Sequence, residues 1–249
     1  MRKPRRLSAE ELAPYCWEIG ERRGVSPTCT SSDASSDTSS DASSDTSSDT
    51  SSDTSGLRLD ARPIEWLALF GNDNPVEIEV GMGKGLFLLS EAVNRPNVNF
   101  FGIEVVRKYQ LYAATRYAIR ALPNVKTACA DAKLILRDCV PSGSVSAVHV
   151  LFPDPWWKKR HKKRRVFTEE FAADVARVIA PGGRFHIASD VEEYFGVMTA
   201  MVNEMPAFRL LSSETNRDSV EVAGFQTNFE RKARLEGTPV GRAVYERSY

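Results

Sequence analysis

Asp154 stands between Pro153 and Pro155, followed by Trp156, Trp157 and a run from Lys158 to Arg165 in which seven of eight residues are Lys or Arg. A carboxylate there can accept hydrogen bonds from the N1–H and N2–H₂ edge of guanine. The indoles can stack on a base, a contact worth roughly 1–3 kcal/mol. The cations can neutralise phosphates, each adding about −0.7 to the salt slope of single-stranded RNA binding. Proline on either side of the acid restricts its backbone, so the carboxylate is presented stiffly. Each residue also has a plainer use: a turn, packing, a solvated face. Their concurrence is what favours a nucleic-acid site. His161 inside the run reads as one more polar contact.

A second group lies upstream, in Glu79-Val80-Gly81-Met82-Gly83-Lys84-Gly85. Glycines after an apolar run let the chain turn sharply and bring a ligand close to the amides that open a helix. Glu104 follows about twenty residues on, where a carboxylate can accept both hydroxyls of a ribose. Asp131 ends the next apolar run in the same way. An acid in that place suits either NAD or S-adenosylmethionine. The dinucleotide pattern is G-x-G-x-x-G, whereas this turn is G-x-G-x-G with an acid two residues ahead of it. Glu79 would repel a pyrophosphate and attract an ammonium or sulfonium. That comparison favours the methyl donor.

These residues need elements to position them. Apolar runs at 76–80, 99–105, 125–130, 145–152 and 184–189 alternate with amphipathic stretches at 84–94, 107–121, 131–139, 168–180 and 191–205. The alternation predicts a parallel sheet covered by helices, with 207–213 and 241–249 as the last two strands. The fold class expected is α/β, a doubly wound and mostly parallel seven-stranded sheet. Ligands of such sheets bind at the carboxyl ends of the strands. The chemistry is therefore expected just after 80, 104, 130, 152 and 189. His149 and His186 fall on apolar strand positions and are expected in the core.

Residues 28–56 are a four-residue repeat of Ser-Ser-Asp-(Ala/Thr) with six Asp and no Lys or Arg. Ser and Thr are poor helix formers, and almost nothing there is apolar, so a solvated tether is expected. The repeat also hides a charge imbalance. The formal net charge is zero, from 33 Lys+Arg and 33 Asp+Glu, and removing the six Asp leaves 33 − 27 = +6. Basic clusters in an otherwise neutral chain suggest a local nucleic-acid footprint. The chain is divided accordingly into a basic N-terminal arm (1–27), the repeat (28–56) and a catalytic domain (57–249).

Cys16, Cys29, Cys129 and Cys139 show no C-x-x-C spacing and read as free thiols, and no Cys/His/Asp spacing suggests a metal. The opening MRKPRRLSAEEL has no apolar core, and no window approaches eighteen apolar residues. A cytoplasmic protein is expected.

With these residues assembled, the chain resembles the bacterial tRNA (guanine-N7-)-methyltransferase family. The resemblance covers roughly 60–249 and rests on VEIEVGMGKG, FFGIEV, LFPDPWWKKRHKKRR, FHIASDVEEY and TNFERKARLEG. It implies the class I methyltransferase sheet, S-adenosylmethionine as donor, and guanine in the variable loop of tRNA (position 46 in the family) as target. It further implies that Glu79, Gly81, Gly83, Gly85, Glu104, Asp131 and Asp154 line the donor site, with Asp154 catalytic. Lys158, Asp190, Thr227, Asn228, Phe229 and Glu230 would contact the substrate. Trp157 departs from the Pro or His expected in its place. Three other readings stay open on the residues alone: the same fold acting on another target, a non-catalytic RNA-binding scaffold, and a nicotinamide oxidoreductase. The oligomeric state, monomer or homodimer, is also open.

Overall fold

The computed structural model describes residues 7–18, 62–156, 165–216, 227 and 235–249. Along the chain run α1 (Ala9–Leu12), a 3-10 turn (Ala13–Tyr15), β1 (Cys16–Trp17), α2 (Trp66–Phe70), β2 (Val76–Val80), α3 (Leu86–Asn94), β3 (Asn99–Glu104) and α4 (Arg107–Ile119). They continue with β4 (Val125–Cys129), α5 (Ala132–Asp138), β5 (Val145–Leu151), α6 (Glu169–Val178), β6 (Ile179–Ser189), α7 (Glu192–Asn203), β7 (Phe208–Asn216) and β8 (Val240–Arg247). The strands form one sheet in the order β1-β4-β3-β2-β5-β6-β8-β7. All pairs are parallel except those of β8, which runs antiparallel to both neighbours.

The seven expected strands are all in place. To them the N-terminal segment adds an eighth, two residues long, at the edge beside β4. It is held by more than its ladder. Leu12 is buried, Lys126 Nζ donates to the Pro14 carbonyl at 2.6 Å, and Thr127 Oγ1 donates to that of Tyr15 at 2.9 Å. Trp17 sets its ring edge-on to Phe101 at 5.9 Å.

Two apolar layers enclose the sheet, and the strands show why. In β2 all five residues are buried. Val76, Ile78 and Val80 alternate onto the face packed by α5, α6 and α7, where Phe101, Ile103, Val148, Val150 and Phe185 join them. The opposite face, under α3 and α4, holds Phe87, Leu88, Phe100 and Tyr117. To this second face β2 contributes Glu77 and Glu79, two acids in a strand interior, which is unusual enough to need a reason.

Strand order supplies the site. The chain steps from β2 outward to β3 and β4, then crosses back to lay β5 on the other side of β2. That reversal opens a crevice at the carboxyl ends of β2 and β5. Val80 pairs with Ile103 on one side and Val150 on the other, so β2, β3 and β5 end nearly level. Loops leaving these three strands meet at one edge.

Candidate active site

The turn after β2 is built from left-handed glycines: Gly81, Gly83 and Gly85 have φ of 74°, 54° and 65°. Gly85 is the constrained one. A methyl group on its Cα would overlap the hydroxyl of Tyr117, which donates to the Gly85 carbonyl at 3.0 Å from α4. A buried phenol thus latches the turn to the next helix. The turn is tied to β3 as well, because Gly81 N–H donates to the Ile103 carbonyl at 2.8 Å.

Glu104, at the end of β3, faces this turn. One carboxylate oxygen accepts the Gly83 N–H at 2.9 Å and the other the Val106 N–H at 2.8 Å. Glu79 lies in the same crevice and is 4% exposed. Its Oε2 has no hydrogen-bond partner among the described residues. Burial, and then repulsion from Glu104, push its carboxyl up to about 8. A buried, unpartnered carboxyl in a pocket wall is a group waiting for a cation. With Glu79, the residues Gly81, Met82, Gly83, Lys84, Leu86, Phe87, Leu151 and Thr227 line a pocket of about 340 Å³, counted to its open mouth.

Glu77, two residues earlier on the same face, has the opposite environment. Arg95 reaches it with both terminal nitrogens, at 2.7 and 2.8 Å. His149 Nε2 lies 2.9 Å from its second oxygen. Burial would raise this carboxyl, but the bonds and charges of His149 and Arg95 outweigh it and bring it down to about 2. Arg95 also pairs with Glu91 at 2.7 Å, and His149 stacks on His186 at 4.5 Å. His149 is buried as expected, but as a member of a polar row beneath the pocket floor.

The loop after β5 carries Asp154. It leaves the strand through Phe152, at φ 54°, and passes Trp156, at φ 41°. Bulky residues adopt that region only under constraint. Phe152 is pinned by its N–H to the Ala188 carbonyl at 2.8 Å and by packing on Ala188 and Val240. From the far end of the basic run, Arg165 Nε donates to the Pro155 carbonyl at 2.6 Å, and its guanidinium lies 5.0 Å over the Tyr194 ring. Asp154 itself is exposed, on the same sheet edge as Glu104 and across β2 from it.

The sequence-predicted residues therefore gather unevenly. Glu79, Gly81, Gly83 and Thr227 share the pocket, and Glu104 bonds to its turn. Asp131 follows β4 by two residues and accepts the Lys133 N–H at 2.9 Å as the N-cap of α5. Asp190 follows β6, half-buried, outside the pocket lining. Lys158, Asn228, Phe229 and Glu230, with Trp157, lie outside the described residues, as do Cys29 and the Ser-Ser-Asp repeat. Cys16, Cys129 and Cys139 form no disulfide among the described residues. No helix among the described residues is long and apolar enough to cross a membrane. Sequence reasoning missed Met82, Leu86, Phe87 and Leu151 as pocket walls, Tyr117 as the latch, and the Glu77–His149 pair. Only the placement of two glutamates inside an apolar strand hinted at the last.

A turn of left-handed glycines at the switch point, an unpartnered acid inside it and a second acid at the end of β3 fit a donor bearing cationic and hydroxyl groups. Fold and pocket define a class I S-adenosylmethionine-dependent methyltransferase. The 16S rRNA (adenine(1408)-N(1))-methyltransferase from Catenulisporales acidiphilia has the same fold, with TM-score 0.55 and 14% identity over 74% of this chain and 90% of that one. The model of the Methyltransf_4 family, "Putative methyltransferase", matches residues 73–243. The tRNA (guanine-N(7)-)-methyltransferase of Rhodopirellula baltica is 44% identical over 72% of this chain and 68% of its own length. That of Hydrogenovibrio crunogenus is 36% identical over 77% and 80%. The chain belongs to the tRNA (guanine-N7-)-methyltransferase family.

Proposed function

We propose that this chain methylates N7 of a guanine in the tRNA variable loop, position 46 in the family, and does so in the cytoplasm. The observation that carries the reading is Glu79: a buried carboxyl with a free oxygen, in one pocket with the glycine turn and Thr227. Bound there, S-adenosylmethionine supplies a methyl group activated by its sulfonium. Glu79 and the amides of the turn hold the charged end of the donor. Glu104 and Asp131, at the ends of neighbouring strands, receive hydroxyl hydrogen bonds.

Guanine N7 has an in-plane lone pair and no proton to lose, so no strong general base is needed. Positioning and charge carry the reaction. Asp154, stiffened by two prolines and the Arg165 bond, accepts the guanine edge and faces the positive charge that grows on the purine. Lys158, Asp190, Thr227, Asn228, Phe229 and Glu230 contact the tRNA. Catalysis is assigned to residues 57–249. Residues 8–17 of the basic arm brace the edge of the same sheet.

The test is incubation with labelled donor and unmodified tRNA, then digestion and identification of the nucleoside. 7-Methylguanosine is expected, another methylated nucleoside would move the target, and no label in tRNA would overturn the reading. For Asp154→Asn, turnover is expected to fall about ten- to a hundredfold with tRNA affinity held, the mark of an electrostatic role. Unchanged turnover would remove Asp154 from the chemistry.

A further inference from the structure

The helix α4 carries a surface that neither the pocket nor the core uses. From Val105 to Arg120 the sequence holds Arg107, Lys108, Arg116 and Arg120 and no acid. Arg107 and Lys108 are exposed in the first turn, which itself holds no acid. The positive end of a helix disfavours cations, so these two weaken the helix they begin. Their use lies outside the fold.

Aromatic rings accompany the charge. Tyr109 is 40% exposed and Tyr112 51% exposed, three residues apart and so on one face of the helix. The Arg116 guanidinium lies 5.9 Å from the Tyr112 ring, and Lys84 Nζ lies 5.9 Å from that of Tyr109. Lys84 is also a wall of the pocket, and its carbonyl accepts Arg116 Nη1 at 3.0 Å. The patch therefore begins at the pocket rim. It extends from the β3 side of β2, opposite the β5 loop that bears Asp154 and leads into the other basic run.

We propose that this face of α4 is a second tRNA contact. A nucleotide flanking the methylated guanine stacks on Tyr109 and Tyr112, while Lys108 beside them and Arg107 further round the helix neutralise adjoining phosphates. Exposed rings interleaved with cations suit single-stranded RNA, where stacking tolerates any base and the charge follows the backbone. A protein partner would be expected to meet some acid on this helix, and from Val105 to Arg120 the sequence has none. The proposal rests on the reading of the pocket as an RNA methylation site, and it would give the strand a grip on both sides of the reacting purine.

The experiment measures tRNA affinity by fluorescence anisotropy from about 50 to 200 mM salt, with donor affinity by calorimetry and mass by light scattering. Tyr109→Ala/Tyr112→Ala is expected to weaken tRNA about tenfold and leave donor affinity within about twofold. Tyr109→Phe/Tyr112→Phe, which keeps the rings, should retain binding. Arg107→Ala/Lys108→Ala should lower the salt slope by about 1.4, two phosphates' worth. Unchanged tRNA affinity and slope in the alanine variants would overturn the proposal. So would an equal loss of donor affinity, or an altered oligomer with tRNA binding intact. The reading of the pocket fails separately, if the unaltered enzyme methylates no guanine; the surface is decided by binding alone.

Discussion

Glu77 and Glu79 are two carboxyls on one strand and one face, held in opposite protonation states by what surrounds them. Glu77 meets Arg95 and His149 and stays ionised down to about 2. Glu79 meets burial and the Glu104 carboxylate and keeps its proton up to about 8. The consequence is linkage. At neutral pH an empty site carries Glu79–H, a cationic donor favours the ionised form, and binding releases a proton. Donor affinity is therefore expected to rise with pH, by up to about tenfold per unit below 8, and to level off above it. Calorimetry in buffers of different ionisation heat checks the proton release directly. In Glu79→Gln the dependence should vanish, and affinity at pH 8 should fall about tenfold or more. A Gln variant that keeps the slope would assign the proton elsewhere.

At the scale of elements, the latch between α4 and the glycine turn decides whether the pocket keeps its shape. Gly85→Ala puts a methyl group into Tyr117 at a left-handed φ of 65°, and donor affinity is expected to drop more than tenfold in titration. Tyr117→Phe removes one buried bond and should cost about 1 kcal/mol in thermal unfolding. How far such elements could be read from sequence follows from their range. The first five expected strands are found within a residue or two at their carboxyl ends, because each is an apolar run bounded by turn residues. Glu104 and Asp154 fall on one edge because parallel strands force it. Tyr117 and the 32 residues separating it from Gly85 carry no such pattern, nor does the Glu77–His149 pair across 72. Met82, Leu86 and Phe87 look like core in any apolar window, and two-residue β1 is too short to show a period. Asp131 caps α5 with one carboxylate oxygen, a local bond that the sequence reading did not anticipate.

Across the whole molecule, the sheet gathers chemistry from distant parts of the chain to one rim: Glu79 and Glu104 from its first half, Asp154 from its middle and Thr227 from near its end. Its other edge does something different. β1 is clamped to β4 at Cys16–Trp17, and Ile64 is fixed by its N–H to the Cys139 carbonyl at 2.8 Å. In sequence, the Ser-Ser-Asp repeat falls between these two anchored points. The entropy lost in closing a chain between fixed ends grows only with the logarithm of its length, about 0.6 kcal/mol for each doubling. Variants with half or twice as many repeats are expected to melt within about 4 °C of one another, a shift that scanning calorimetry resolves. A connection whose length costs so little in folding leaves that length to be set by something other than stability.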